Sequence, residues 1–376
     1  MIDIKDIVRI NHRNNFLPLK TNGRLNLQFC APMCSSDGYG YSTENIILAL
    51  DKMGVNVWLR PLVYGEIEED SNKISKFINN NLFFDLQIIY FLPQILSGIL
   101  SKYKVGFTMF ETTKIPTEWV KHLNTCSLVL VPSMFCKNVF INCGVKVPVE
   151  VLDLGINFDH FYFKERNIKK DKFTFLSYAR MDPRKNWQMT VDAFCEEFKK
   201  DKDTELIIKT NSNPIKKFIA DKKNDKIKYI DSNFSRKNLL ELLSSSDCFV
   251  FPTRGEAYGM PPREAMATGL PVIMPSFAGL ENIAFDDICY PLKLDEKSPM
   301  VKADISAYNL PDICFETNIG EWCNPDFNHL KHLMRSVYEN REEGYEKGKK
   351  ASEFVKRFDV INTAANLIKI INHYFG

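Results

Sequence analysis

The sequence predicts an α/β protein built as two doubly wound units that face a cleft. Three observations carry this. A chain of 376 residues exceeds what one hydrophobic core usually organises. Short apolar runs of strand length alternate with segments of helical periodicity, the pattern of βαβ units and a parallel sheet. That alternation stops at a charged stretch without apolar period, residues 157–172, and then restarts.

The first unit opens with "LNLQFCA" (25–31) as a strand, followed by the glycine-bearing loop "PMCSSDGYGYS". "TENIILALDKMG" has apolar residues at helical spacing and Gly54 as a stop, and "VNVWLRPL" returns as a strand. "KVGFTMFE", "CSLVLVPS" and "VEVLDLG" repeat the theme of an apolar strand ending in a polar or small residue. The helix-compatible segments "PTEWVKHLN" and "MFCKNVFINCG" lie between them. In the second unit the strands are "FTFLSYA", "TELIIKT", "KIKYID", "DCFVFPT" and "LPVIMPS". The helices are "WQMTVDAFCEEFKK", "SRKNLLELLSSS" and "PPREAMAT". The boundaries predicted from this are about 1–160 and 170–355. A closing helix follows, with Ala364, Leu367, Ile368, Ile371, Tyr374 and Phe375 on one face.

Composition narrows the function classes. A net charge of +2 gives no support for a nucleic-acid partner, which usually calls for a larger basic excess. The Lys-rich run from Lys216 to Lys228 is broken by Asp221 and Asp225, as expected of a solvated face. Ten cysteines without a CxxC pair read as reduced, buried thiols in a cytoplasmic protein, with no metal site. The N-terminus has no apolar core of signal-peptide type. The most hydrophobic segment, Leu82–Leu100, carries Asp85, Gln87, Pro93 and Gln94. It reads as buried core rather than a span. The sharper alternative is a patch touching the inner face of a membrane or a lipid acceptor.

The functional signal is concentrated in "RGEAYGMPPREAMATGLPVI", directly after a strand. In open α/β sheets ligands bind beyond the carboxyl ends of strands. Glu256 sits in the turn and Glu264 in what reads as the first turn of the following helix, eight residues on. Carboxylates accept paired hydrogen bonds from vicinal hydroxyls, which sugars and riboses offer. The free amides of a helix start favour an anion between them. Gly255 and Gly259 allow a ligand close to the backbone. Taken singly, the two acids read more simply as helix-dipole stabilisation by Glu264 and a surface turn acid at Glu256, and it is the whole string that shifts the balance. A second constellation, "YARMDPRKNWQMTVDAF", puts Arg180 and Lys185 around a Pro-containing turn facing the first across the cleft. Both suit phosphate oxygens; in the plain alternative, Asp182 or Arg184 pairs with them instead in a surface network.

These strings resemble the family 4 retaining glycosyltransferases, glycosyl transferases group 1 of the GT-B fold. "GEAYGMPPREAMATGLPVI" is similar to that family's E-x7-E region and "ARMDPRKNWQMTVDAF" to its arginine and lysine segment. "VLVPSMFCKNVFINCGVKVPVEVLDLGIN" is similar to its domain-joining stretch and "GEWCNPDFNHLKHLM" to its C-terminal region. The likeness runs from Val105 onward. It implies two Rossmann-like domains, with the final helix, about 356–376, crossing back onto the first. It also implies a nucleotide-sugar donor (UDP, GDP, ADP or dTDP) and an unspecified hydroxyl acceptor, with no cofactor and no required metal. Arg180 and Lys185 would grip the diphosphate, Glu256 the sugar and Glu264 the ribose. Ala257, Tyr258, Gly259 and Met260 would offer backbone amides, and Asn233 and Phe234 would hold the base.

The chain departs from the family at two places. Gly38 and Gly40 stand for the usual paired glycines, with Tyr39 and Tyr41 adding bulk. Glu111 and Thr112 stand where many members have a histidine, which makes Glu111 the candidate polar group near the anomeric carbon. The alternatives are an inactive nucleotide-sugar-binding relative, or a transferase acting on protein or DNA. Retention of Arg180, Lys185, Glu256 and Glu264 argues against the first, and the near-neutral charge against DNA.

Overall fold

The computed structural model describes residues 16–33, 38–64, 69–80, 82–178, 180, 182–210, 213–304 and 318–376. Two parallel sheets organise it. The first is built from β1 (Arg24–Met33), β2 (Asn56–Tyr64), β3 (Leu86–Tyr90), β4 (Tyr103–Phe107), β5 (Leu128–Val131) and β6 (Val149–Val151). Their order is β2-β1-β3-β4-β5-β6, with Lys20–Thr21 antiparallel to the start of β1. The second holds β7 (Phe173–Tyr178), β8 (Thr204–Lys209), β9 (Ile227–Ile230), β10 (Cys248–Val250), β11 (Val272–Pro275) and β12 (Tyr290–Leu292). Its order is β9-β8-β7-β10-β11-β12, the doubly wound order 3-2-1-4-5-6 counted within the sheet. All pairings among these twelve strands are parallel. Both sheets therefore have a switch point where the strand order reverses, between β1 and β3 and between β7 and β10.

The central strands are buried on both faces, as crossover helices require. β7 is buried at all six positions, and Leu128 to Val131 are fully buried. Helix α1 (Gly38–Lys52) covers the first sheet with Ile46, Ile47, Ala49 and Leu50. It begins earlier than the sequence spacing suggests. "GYGYS" is its first turn and not an open loop, and Cys34 to Asp37 lie outside the described residues. The short helices α2 (Thr117–Leu123) and α3 (Met134–Asn142) follow β4 and β5, and Ser133 caps α3 by accepting from Cys136 N. Around the second sheet lie α4 (Trp187–Glu197), α5 (Asn213–Asp221), α6 (Arg236–Ser245) and α7 (Met260–Ala267). α8 (Phe327–Glu339) and α9 (Arg341–Val355) complete that layer. The last helix, α10 (Val360–Phe375), packs Val360, Ala364, Leu367 and Ile371 into the core of the first sheet.

The stretch 157–172, where the strand-and-helix alternation pauses, is anchored on the second sheet. Phe161 is fully buried against the second sheet's core. The Arg166 guanidinium donates to the carbonyls of Leu243, Ser244, Ser246, Thr268 and Gly269. The stretch lacks apolar period because its anchor is a guanidinium set into backbone carbonyls, an attachment that hydropathy does not register.

Within Leu82–Leu100, β3 and a 3-10 turn (Pro93–Gly98) bury Ile88, Ile89, Tyr90, Ile95 and Leu96 in the core, as read, while the end residues Leu82 and Leu100 are exposed. Among the described residues no helix is long and apolar enough to cross a membrane.

Candidate donor site at the carboxyl ends of the strands

The site begins with the turn after β7. Asp182 caps the 3-10 turn Pro183–Lys185 by accepting from Arg184 N at 2.8 Å, and Asn186 takes a left-handed conformation (φ 53°) that launches α4. This turn aims Arg184 and Lys185 at the neighbouring loop after β10. The backbones join where Arg254 N donates to Arg184 O at 2.7 Å. Because β7 and β10 are adjacent at the switch point, these two loops are side by side. Lys185 does not face Glu256 across the cleft, as the sequence reading had it, but bonds it directly.

A compact buried charge network results. Glu256 Oε1 accepts from Lys185 Nζ at 2.5 Å, from Arg184 Nη1 at 3.0 Å and from Thr253 Oγ1 at 2.9 Å. Arg184 also donates to Gly255 O at 2.5 Å and lies 3.3 Å from Asp182 Oδ2 and 3.6 Å from Glu111 Oε1. Burial would push the Glu256 carboxyl up, but Lys185 and Arg184 overturn that and hold it below its ordinary range. Lys185 is pushed down by burial and by Arg184, with Glu256 opposing. Glu111 comes from the loop after β4. Burial raises its pKa, with Arg184 opposing and Glu256 adding to the rise. Each buried charge has an opposite partner, which is what makes such burial tolerable.

Arg184 is thus a site residue that sequence reasoning assigned to a surface network. The signal was present in "DPRKN", but spacing cannot say which of Arg180 and Arg184 turns inward. Arg180 is exposed, lines the cleft, and has no ion pair among the described residues.

The second acid has a different setting. Glu264 lies in the second turn of α7, one residue beyond the first turn assigned from sequence. Its Oε2 accepts from the Tyr178 hydroxyl at 2.5 Å. Burial raises its pKa, with that hydrogen bond and Arg236 opposing. Tyr178, the last residue of β7, was also missed.

The helix start offers less than expected. Gly259 caps α7 at φ 79°, and Pro261 and Pro262 occupy its first turn without N–H groups. Of the four orphan donors of a helix start, only the Gly259 and Met260 amides remain. The glycines serve packing rather than ligand approach. A Cβ on Gly255 would stand 2.4 Å from Glu111 O, and one on Gly259 2.3 Å from a Leu280 methyl. Arg263, between the two acids in sequence, faces away from the cleft. It is fully buried, stacks over Tyr258 and Phe358, and donates to Tyr258 O at 3.0 Å and Gly279 O at 2.9 Å.

A cleft of about 360 Å³ runs past these groups. From the side of the first sheet it is lined by Gly38, Tyr39, Tyr41, Met109 and Glu111. Across it lie Arg180, Arg184, Lys185, Asn233, Phe234, Glu256, Ala257, Tyr258, Gly259, Met260 and Glu264. Of the residues singled out from sequence, all but Gly40, Thr112 and Gly255 border this cleft. Gly40 is buried in the first turn of α1, so close approach of a ligand there falls to Gly38, beside which nothing stands within 4 Å. Among the described residues no group of three or more His, Cys, Asp or Glu side chains is arranged to hold a metal ion.

Comparison with known proteins covers this site in sequence and nearly the whole chain in structure. Residues 159–287 match the family model for glycosyl transferases group 1. No curated protein sequence matches the chain. Among solved structures it is similar to sucrose-phosphate synthase from Thermosynechococcus elongatus, with a TM-score of 0.69 at 14% identity, over 94% of this chain and 99% of that one. HepE from Anabaena, solved in complex with UDP and glucose, gives 0.68 at 12% identity, over 93% and 99%. A glycosyltransferase from Rickettsia africae ESF-5 gives 0.65 at 15%, over 94% and 99%. The fold is GT-B, as the sequence predicts.

Proposed function

We propose that this protein, a glycosyltransferase by its group 1 segment, moves a sugar from a nucleotide-sugar donor to a hydroxyl acceptor and retains the anomeric configuration. The observation that carries this reading is the Glu256–Lys185–Arg184 cluster at the switch point, where open α/β sheets take their ligands. The structural neighbour HepE, solved in complex with UDP and glucose, supports the nucleotide sugar as donor class.

In this reading Arg180 and Lys185 receive the diphosphate. Arg180 is uncommitted among the described residues, and Lys185 has further N–H donors beyond the one held by Glu256. Glu256, kept ionised by its two cations, orients Lys185 and accepts from sugar hydroxyls. Glu264 accepts from the ribose hydroxyls, with Tyr178 fixing its carboxylate. Glu111, next to Arg184, is the polar group that the first sheet brings to the sugar.

The bond from the anomeric carbon to the diphosphate oxygen breaks. A bond to the acceptor oxygen forms on the same face, and the acceptor's proton passes to the leaving phosphate. Charge developing on that phosphate is met by Arg180, Lys185 and the Gly259 and Met260 amides, preorganised in a water-poor site. The reading requires no metal and no protein nucleophile.

The test is product analysis. Incubation with UDP-, GDP-, ADP- and dTDP-sugars, followed by nucleotide-release assay and NMR of the product, should give one productive donor class and an unchanged anomeric configuration. An inverted product would remove the retaining mechanism. Absence of transfer or binding with every donor would remove the assignment.

A further inference from the structure

The cleft is electrically lopsided. Its acids Glu111, Asp182, Glu256 and Glu264 gather around the loops after β4, β7 and β10 and on α7. The other end lies beyond β8 and β9 and is lined by Lys209, Thr210, Asn233, Phe234 and Arg236, without a carboxylate. From β7 to β9 is two strand spacings, roughly 10 Å. That is the reach of a ribose and a base from a diphosphate anchored at the switch point. A sugar, which offers hydroxyl donors, suits the acid end, and a nucleoside suits the cationic and aromatic end.

Lys209 closes β8 with its ammonium 5.3 Å from the centroid of the Phe234 ring. Among the described residues it has no carboxylate partner. It is half-buried, and burial and Arg236 push its pKa down. Beside it Thr210 is 3% exposed, and its hydroxyl has no hydrogen-bond partner among the described residues. A buried hydroxyl without a partner carries a cost that a ligand would relieve. The Arg236 guanidinium lies 3.7 Å over the Tyr41 ring, which fixes the outer wall.

An ammonium donates only, whereas a hydroxyl donates or accepts. This pair complements a carbonyl oxygen next to a ring N–H. It opposes an exocyclic amino group, whose protons would meet the Lys209 charge. Uracil, thymine and guanine present the carbonyl there, and cytosine and adenine the amino group. We propose that Lys209, with Thr210 beside it, reads the donor's nucleobase and selects oxo bases over amino bases. The inference rests on the nucleotide-sugar reading above and narrows it.

Calorimetry on the full chain tests it with UDP, CDP, GDP and ADP. Within the ring size that binds more tightly, the oxo base should win by about tenfold or more, UDP over CDP or GDP over ADP. Lys209→Met should bring that ratio toward one while leaving the amino-base nucleotide's affinity within about twofold, and Thr210→Val should narrow it less. Arg180→Ala should weaken both nucleotides alike. Equal binding of oxo and amino bases, or an intact ratio in Lys209→Met with a normal melting temperature, overturns the inference alone. No binding of any of the four removes the donor reading and this inference with it.

Discussion

The two sheets end differently at their switch points. Where β1 and β3 diverge, the carboxyl ends carry rings. Tyr39 lies 4.8 Å from Tyr90, which stacks on Phe107 at 4.3 Å and shares a 2.8 Å hydrogen bond with Ser42. Where β7 and β10 diverge, the ends carry buried Arg184 and Glu256 and half-buried Asp182 and Lys185, mutually paired. One topology thus supplies two surfaces: an aromatic wall with a single acid, Glu111, and a charged cradle. The lesson is that the cradle spends stability to hold charges in place, whereas the wall is ordinary core opened to the cleft. Substitutions should therefore separate the two.

The largest effect is expected at the centre of the cradle. Glu256→Gln keeps the shape but removes the charge that holds Lys185 and Arg184. Transfer should fall by about 100-fold or more in a nucleotide-release assay, with the circular dichroism spectrum unchanged. Near-normal turnover would show that the cluster is structural only.

Next come the two arginines, which should part company. Arg184→Met leaves Glu256, Asp182 and Glu111 short of a buried cation and should cost about 3–5 kcal/mol, read as a drop in melting temperature. Arg180→Ala, at an exposed position, should leave the melting temperature unchanged and weaken nucleoside diphosphate binding in calorimetry. A common behaviour of the two would erase the distinction between holding the cradle and holding the ligand.

Glu264 sets a smaller and pH-dependent effect. Its folded pKa is raised, so the ionised carboxylate is the costly form in the folded protein. Stability falls as pH rises from below the ordinary carboxylate pKa through the raised folded value, and the full cost applies above it. Glu264→Gln should raise the melting temperature at neutral pH, about 1–2 °C for each kcal/mol relieved. The gain should vanish below the ordinary carboxylate range, and nucleotide affinity should drop. A melting temperature lowered at neutral pH would contradict the assignment of burial as the dominant cause.

The smallest effect belongs to the wall. Tyr39→Ala removes one ring that borders the cleft and should leave donor affinity within about twofold, changing acceptor KM instead. A loss of donor affinity as large as that of Arg180→Ala would merge the two surfaces.

Much of this comparison was legible in the sequence. Strand-and-helix alternation and its restart report burial on both faces, a property of each short segment alone. The string from Arg254 to Ile273 located the charged turn because prolines and glycines mark its geometry. What escaped depends on side-chain direction and on contacts distant in sequence. Whether Arg180 or Arg184 turns inward is decided by the Asp182 cap and the left-handed Asn186. Tyr178 reaches Glu264 only because β7 ends beside α7. Arg166 sits in a polar run whose partners are carbonyls 77 to 103 residues away. The glycines misled for the same reason: what crowds Gly255 is the backbone of Glu111, a loop from the other sheet.

The proposed donor role of the cradle at the second switch point rests on Lys185 contacting the nucleotide sugar. Titration of the wild-type protein and of Lys185→Ala with the productive nucleotide sugar tests it most directly. Saturable binding is expected of the wild type, with affinity lowered by about tenfold or more in the variant and the fold intact. Equal affinity in the two proteins would contradict it.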